Sequence, residues 1–239
     1  MKVNIMTYNT QHCEHVISKK IDFDAIAEVI KESGAEIVGL NEMRDLGKDP
    51  EQFAAQVKEL ADRLGYYYYF AKAIEFDYDW LRCPYGNGLL SKYPILEAET
   101  IAIPDPVEKK YKGYYETRCL LKAKIDVADG LNVLVSHFGL NPDEAENAVN
   151  TVLENMPTEK TVFMGDLNLK PEDELLNPIR EQLVDVATYS DKELLTWPST
   201  GPERKIDYIF VSKDVKVLGA DVPVKEASDH CPHTAVIEL

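Results

Sequence analysis

The feature that most constrains the fold is a change of periodicity near Tyr66. Before it, strand-like runs alternate with helical spacing. Residues 3–9 read as a strand, and Phe23, Ile26, Ala27 and Ile30 fall at i, i+3, i+4 and i+7 before Gly34. Residues 37–40 form a short apolar run ending at Asn41-Glu42, and a second helical pattern opens at Pro50 with Phe53, Val57, Leu60 and Leu64 on one face. After Tyr66 the strands follow one another: residues 66–71, 88–92, 96–103, 117–125 and 131–137, separated by Pro, Gly or charged turns. Asn141, Pro142 and Glu144 then signal a third helix, with Ala145, Ala148, Val149, Val152, Leu153 and Met156 facing inward. Strands at 161–165, 206–212 and 233–239 complete the chain. The order implies helices covering mixed or antiparallel sheets in one α/β body, and it excludes a helical bundle.

Composition narrows the class. With 239 residues, 45% of them apolar and 28% charged, the chain can bury a sizeable core, and no repeat or Ser/Gly-rich linker divides it, so one domain over 1–239 is expected. It lacks the run of about 18 apolar residues that would span a bilayer. The start, Met1-Lys2-Val3-Asn4-Ile5, lacks the features of a signal peptide, so a cytoplasmic location is expected. Cys13, Cys83, Cys119 and Cys231 are scattered without CxxC spacing and read as reduced thiols. The formal charge of −16 opposes nonspecific binding along a nucleic-acid backbone but leaves room for a local phosphate site.

Acidic and amide side chains recur where predicted strands stop: Asn9, Glu42, Asp166 and Asn168. Each alone is explained as a turn former. Together, oxygen donors on separate strands suit a hard cation such as Mg²⁺, whose coordination a substrate phosphate completes. The turn Ser228-Asp229-His230-Cys231-Pro232 adds a carboxylate beside a group that titrates near neutrality.

These segments form an ordered set: Thr7-Tyr8-Asn9, Leu40-Asn41-Glu42-Met43-Arg44, Tyr85-Gly86-Asn87-Gly88 through Pro94, Ser136-His137-Phe138-Gly139-Leu140, Gly165-Asp166-Leu167-Asn168, Ile206-Asp207-Tyr208 and Ser228-Asp229-His230. The set resembles the endonuclease/exonuclease/phosphatase superfamily, the deoxyribonuclease-I-like group, from residue 5 to the C-terminus. The resemblance implies a four-layer α/β/β/α sandwich and Mg²⁺- or Mn²⁺-dependent hydrolysis of phosphate esters. By resemblance Glu42 is the main metal ligand, with Asn9 near it and Asp229 adding to the shell. Asp166 and Asn168 position the attacking water and the phosphate. His230 activates the water, Asp207 holds the tautomer of His230 or pairs with His137, and His137 binds the phosphoryl oxygens. Arg44, Arg118 and Asn87, in an expected Gly-Asn-Gly turn, match positions where the family contacts phosphate.

Two departures weaken a nuclease reading: Asn41 stands where Gln is frequent, and Phe138-Gly139-Leu140 follows His137 where an acidic residue is common. A small-molecule, lipid-head-group or sugar phosphodiester is the favoured substrate, and a monomer is expected. The alternatives are a DNA, RNA or apurinic-site endonuclease and a non-catalytic binding protein. Lys109 to Tyr115 joins cations with aromatics in a predicted loop, read chiefly as solvated, and Phe76-Asp77-Tyr78-Asp79-Trp80 is the expected specificity loop. His12, His15 and His233 read as surface or satisfied histidines.

Overall fold

The computed structural model describes residues 1–46, 54–77 and 83–239. Pro50 and Phe53 of the expected second helix, and Tyr78 to Trp80 of the expected specificity loop, lie outside the described residues. Among those described, twelve strands form two mixed six-stranded sheets. The first contains β1 (Lys2–Asn9), β2 (Ile37–Arg44), β3 (Tyr67–Glu75), β4 (Pro84–Ser91), β11 (Lys216–Asp221) and β12 (His233–Glu238), in the order β11-β12-β1-β2-β4-β3. The second contains β5 (Ile95–Ala102), β6 (Cys119–Ile125), β7 (Leu131–Ser136), β8 (Thr161–Asp166), β9 (Leu183–Asp185) and β10 (Asp207–Ser212), in the order β5-β6-β7-β8-β10-β9.

Each sheet carries one parallel pair, β1 with β2 and β7 with β8, and each pair is joined by a helix because a parallel return needs a crossover. The helices are α1 (Phe23–Ser33) and α3 (Pro142–Asn155). The Asp22 carboxylate caps α1 by accepting from the Ala25 amide at 2.9 Å, and Gly34 ends it at φ 68°. Two shorter helices, α2 (Gln56–Leu64) and α4 (Asn177–Gln182), complete the outer layers.

Strand alternation builds three cores from one chain. Ile5 of β1, Ile37 of β2, Val133 of β7 and Val162 of β8 meet between the sheets. Their neighbours point outward. Met6 and Val38 pack under Ile26, Ile30 and Leu60 of the first helical layer, while Leu134 and Phe163 pack under Ala148, Val152 and Ile179 of the second. The result is the α/β/β/α sandwich.

One expectation needs correction. Gly86-Asn87-Gly88 lies inside β4 and is not a turn. Glycine is needed at 86 for space: a Cβ there would collide with the backbone carbonyl oxygen of Ala71. Tyr67 and Tyr68 of the edge strand β3 are exposed, while Tyr69 packs against the core between the sheets. Finally, β11 and α4 were not anticipated. An edge strand with few buried residues and a helix of six residues are too short to show a periodicity.

Candidate active site

The functional side chains gather at one end of the sandwich because of strand direction. Asn9 ends β1, Glu42 lies near the end of the parallel β2, and Asp166 ends β8. Asp207 opens β10 directly opposite Asp166 in the antiparallel register. His137 follows β7, and His230 precedes β12, which runs antiparallel to β1. The two sheets are thus tied by contacts between side chains far apart in sequence. Asn9 Nδ2 donates to Glu42 Oε1 at 3.0 Å and to Asp166 Oδ2 at 3.0 Å. Asp229 adjoins this group, since Ser228 Oγ donates to the Asn9 carbonyl at 2.8 Å and lies 3.3 Å from Asp229 Oδ1.

Local strain aims two of these groups. Glu42 has φ 62°, within an irregularity of the β2–β4 pairing between Leu40 and Met43. A non-glycine residue there costs energy, and such outliers concentrate at functional sites. Gly165, with φ 150°, turns the chain just before Asp166; a Cβ there would overlap the Ser136 carbonyl oxygen.

Asn41, which sequence reasoning did not single out as functional, joins four strands. Its Nδ2 donates to Asn87 Oδ1 at 2.8 Å and to the Ser136 carbonyl at 3.1 Å, and its Oδ1 accepts from the Asp166 amide at 2.9 Å. The only sequence signal was a polar residue where the apolar run of β2 stops. Asn87 is the partner in this bridge and also donates to the Cys119 carbonyl at 3.0 Å. Both ends of its buried amide are engaged within the protein.

Arg118 lies beside this bridge, next to His137. Its Nη1 lies 2.6 Å from Glu116 Oε1 and 2.9 Å from His137 Nδ1, and its side chain is 10% exposed. A guanidinium can only donate, so His137 Nδ1 accepts and the ring proton sits on Nε2. That nitrogen faces Asp166 Oδ2 at 3.5 Å; Asn168 Nδ2, likewise a donor, lies 3.1 Å from it and donates to the Phe138 carbonyl at 3.1 Å. Arg118 therefore stands behind His137. Glu116, which the sequence reading missed, holds Arg118. Arg44 lies two residues past Glu42; its amide donates to Gln56 Oε1 at 2.8 Å, and its charge helps push the His12 pKa down to about 4, after burial.

Of the two partners left open for Asp207, the structure pairs it with His230: Nδ1 to Oδ2 is 2.8 Å. His230 Nε2 then faces Asp166 Oδ2 at 3.7 Å. Burial acts to discharge the imidazole, but Asp207 and then Asp166 outweigh it and push its pKa up. Burial first, and the Asp207 charge second, push the Asp166 carboxyl above the usual range. His137 is the opposite case: burial, then Arg118, then His230 hold it neutral.

Asp166, Asp207 and His230 each offer a ligand atom, all within 4.8 Å of one another, and this is the one such group of three among the described residues. Asp207 Oδ1 is buried without a hydrogen-bond partner, so it is an acceptor that water or a ligand can satisfy. The carboxylates of Glu42 and Asp166, bridged by the Asn9 amide nitrogen, are oxygen donors of the kind that suits a hard divalent cation.

A further buried histidine gives a clean test of the electrostatics. His233 is fully buried, and burial first, then Lys205, push its pKa down to about 4. The unfolded chain protonates this group near 6.5. Its contribution to stability is therefore intact above about pH 6.5 and lost as pH falls through about 4, by about 3 kcal/mol in full. His233→Gln is expected to flatten urea midpoints across that window, leaving the parts due to His12 and His137; an unchanged slope would contradict the assignment.

Fold and site define a class: deoxyribonuclease-I-like α/β/β/α sandwiches, whose members are phosphoesterases and nucleases. The chain belongs to the Endonuclease/Exonuclease/phosphatase family, whose profile matches residues 6–230. Among solved structures, an endonuclease/exonuclease/phosphatase from Beutenbergia cavernae DSM 12333 superposes with TM-score 0.82 at 22% identity, covering 100% of this chain and 72% of that one. The mannosyl-6-phosphatase of Bacteroides thetaiotaomicron VPI-5482 gives TM-score 0.77 at 16% identity, covering 99% of this chain and 100% of that one. D. rerio TDP2 complexed with a single-strand DNA product gives 0.69 at 16%, covering 100% and 99%. No curated protein gives a significant sequence match. No helix among the described residues is long and apolar enough to cross a membrane.

Proposed function

We propose that this chain is a divalent-cation-dependent phosphoesterase that cleaves a small-molecule, lipid-head-group or sugar phosphodiester by in-line attack of water. The observation that carries the reading is the buried Asp207–His230–Asp166 array beside the amide-bridged pair Glu42 and Asp166. Glu42, with Asn9 near it and Asp229 alongside, would hold Mg²⁺ or Mn²⁺. The Asp207–His230 hydrogen bond at 2.8 Å keeps those two groups for proton handling. Such a cation would supply charge neutralisation for the phosphate ester.

The chain's own residues divide the remaining work. Asp207 fixes the imidazole so that its Nε2 faces Asp166 and the cleft. Asp166, whose proton affinity burial and Asp207 raise, takes the proton from the attacking water, with His230, held as the imidazolium by Asp207, facing it. Neutral His137 presents its Nε2–H, and Asn168 its amide, to the phosphoryl oxygens as negative charge builds. One P–O bond forms to the water oxygen and one breaks to the alcohol, which leaves with a proton delivered through solvent. Two structural neighbours, a mannosyl-6-phosphatase and TDP2 held with a DNA product, support phosphate-ester chemistry in general.

Hydrolysis of bis(p-nitrophenyl) phosphate and p-nitrophenyl phosphate tests the reading. Turnover is expected with Mg²⁺ or Mn²⁺, absent in EDTA and restored by either cation, with the diester faster. Glu42→Gln is expected to lower it about a hundredfold at fixed cation concentration. Turnover that survives EDTA would overturn the proposal.

A further inference from the structure

Beside Asn168 opens a cavity of about 430 Å³ that the mechanism does not use. Its lining includes Lys110, Tyr111, Leu140, Glu146, Asn168 and Asp173. Asn168 connects it to the reaction centre, because its amide nitrogen lies 3.1 Å from His137 Nε2. A group esterified to a phosphate at His137 and Asn168 can therefore extend into it.

The wall of this cavity is fixed. The 109–115 loop, which composition marked as solvated, is fastened to the first turn of α3. Tyr115 Oη donates to Asp143 at 2.9 Å, the Lys110 amide donates to the same carboxylate at 3.3 Å, and Asn141 Nδ2 donates to the Tyr114 carbonyl at 2.9 Å. The Glu116 amide donates to Glu144 at 3.0 Å. These bonds hold Tyr111 at the rim with 47% of its surface exposed, and Leu140 with 61%. An exposed tyrosine and leucine that face a ready-made cavity offer flat apolar area at little entropic cost.

The charges decide the class of occupant. Asp143, Glu146 and Asp173 are acceptors and Lys110 is the cation, so the four charged lining groups sum to minus two. A continuing phosphodiester chain would meet unfavourable charge here, whereas an uncharged group rich in hydroxyls finds acceptors, a donor and an aromatic face together. Resting on the phosphoesterase reading, we infer that this cavity seats the alcohol part of the substrate and that this part is a neutral polyol of the sugar type. Leu140 occupies the stretch after His137 where the sequence departs from nucleases.

The test compares two diesters of equal charge, a hexose methyl phosphate and a dinucleoside monophosphate, with bis(p-nitrophenyl) phosphate as a common standard. The wild type is expected to favour the hexose diester. Tyr111→Ala and Asp173→Asn are each expected to lower its kcat/KM relative to the standard by about tenfold, mainly through KM. Turnover of the standard without preference for the hexose diester, or with a preference that both variants keep, would overturn the polyol site while the phosphoesterase reading stands. Turnover of none of the three would instead defeat the phosphoesterase reading. Titration calorimetry with hexose 6-phosphate then decides the cavity: heat lost in Tyr111→Ala upholds it, and no binding by the wild type overturns it.

Discussion

His230→Ala is expected to lower kcat for bis(p-nitrophenyl) phosphate by about a thousandfold, with KM changed far less. The imidazolium faces Asp166, the group that takes the water's proton, at 3.7 Å, and alanine leaves Asp166 and Asp207 facing each other without the cation between them. Their carboxylates oppose one another across the register of β8 and β10, so the loss is more than that of a single hydrogen bond. Asp207→Asn is expected to show a loss of similar order, because the neutral amide would hold the ring without stabilising its charge. The double substitution should cost little more than His230→Ala alone, since the two side chains act as a unit through one 2.8 Å contact. Additive losses would mean that Asp207 serves some function other than holding His230. Circular dichroism and a thermal midpoint for each variant separate this from a folding defect.

Asn41→Ala is expected to be the most destabilising single change at the site, although it touches no reacting atom. It strands the Asp166 amide, the Ser136 carbonyl and Asn87 Oδ1 in a buried space where water has no room prepared. Each unsatisfied group costs about 1–3 kcal/mol, so a total of about 4 kcal/mol is expected, within the tail of large mutational effects. Urea unfolding measures it. A loss under about 1 kcal/mol would show that water enters and replaces the amide. The same variant should also lower kcat, because the Asp166 backbone loses its tie to β2. Recovery of kcat at low temperature without recovery of stability would assign that loss to local motion at Asp166.

The layered architecture was legible because alternation along a strand and spacing along a helix are properties of local sequence. Ile5 and Met6 point to opposite cores whatever the partner strand, and the Asp22 cap and Gly34 stop bracket α1 in a few residues. The chemical groups were legible as types for a related reason: Asn9, Glu42 and Asp166 each end or nearly end an apolar run, so they had to emerge at strand ends. Edge strand β11 and the six-residue α4 carried too little pattern to be seen.

Pairings were decided by tertiary structure. Asp207 had two histidines open to it in sequence, and only the register of β10 against β8 sets it on His230. Arg118 and Asn87 match positions where the family contacts phosphate. In the structure one lies behind His137 on Glu116, and the other is buried in an amide bridge with Asn41. Asn41 and Glu116 gave almost no sequence signal. A residue whose function is to join two sheets has partners 46, 95 and 125 positions away. The sequence determined which elements form and which polar groups reach their ends. Which of those groups share a proton, hold a tautomer or bridge the sheets depends on distances of a few ångström between segments far apart in the chain, and only the packing of one sheet on the other sets those distances.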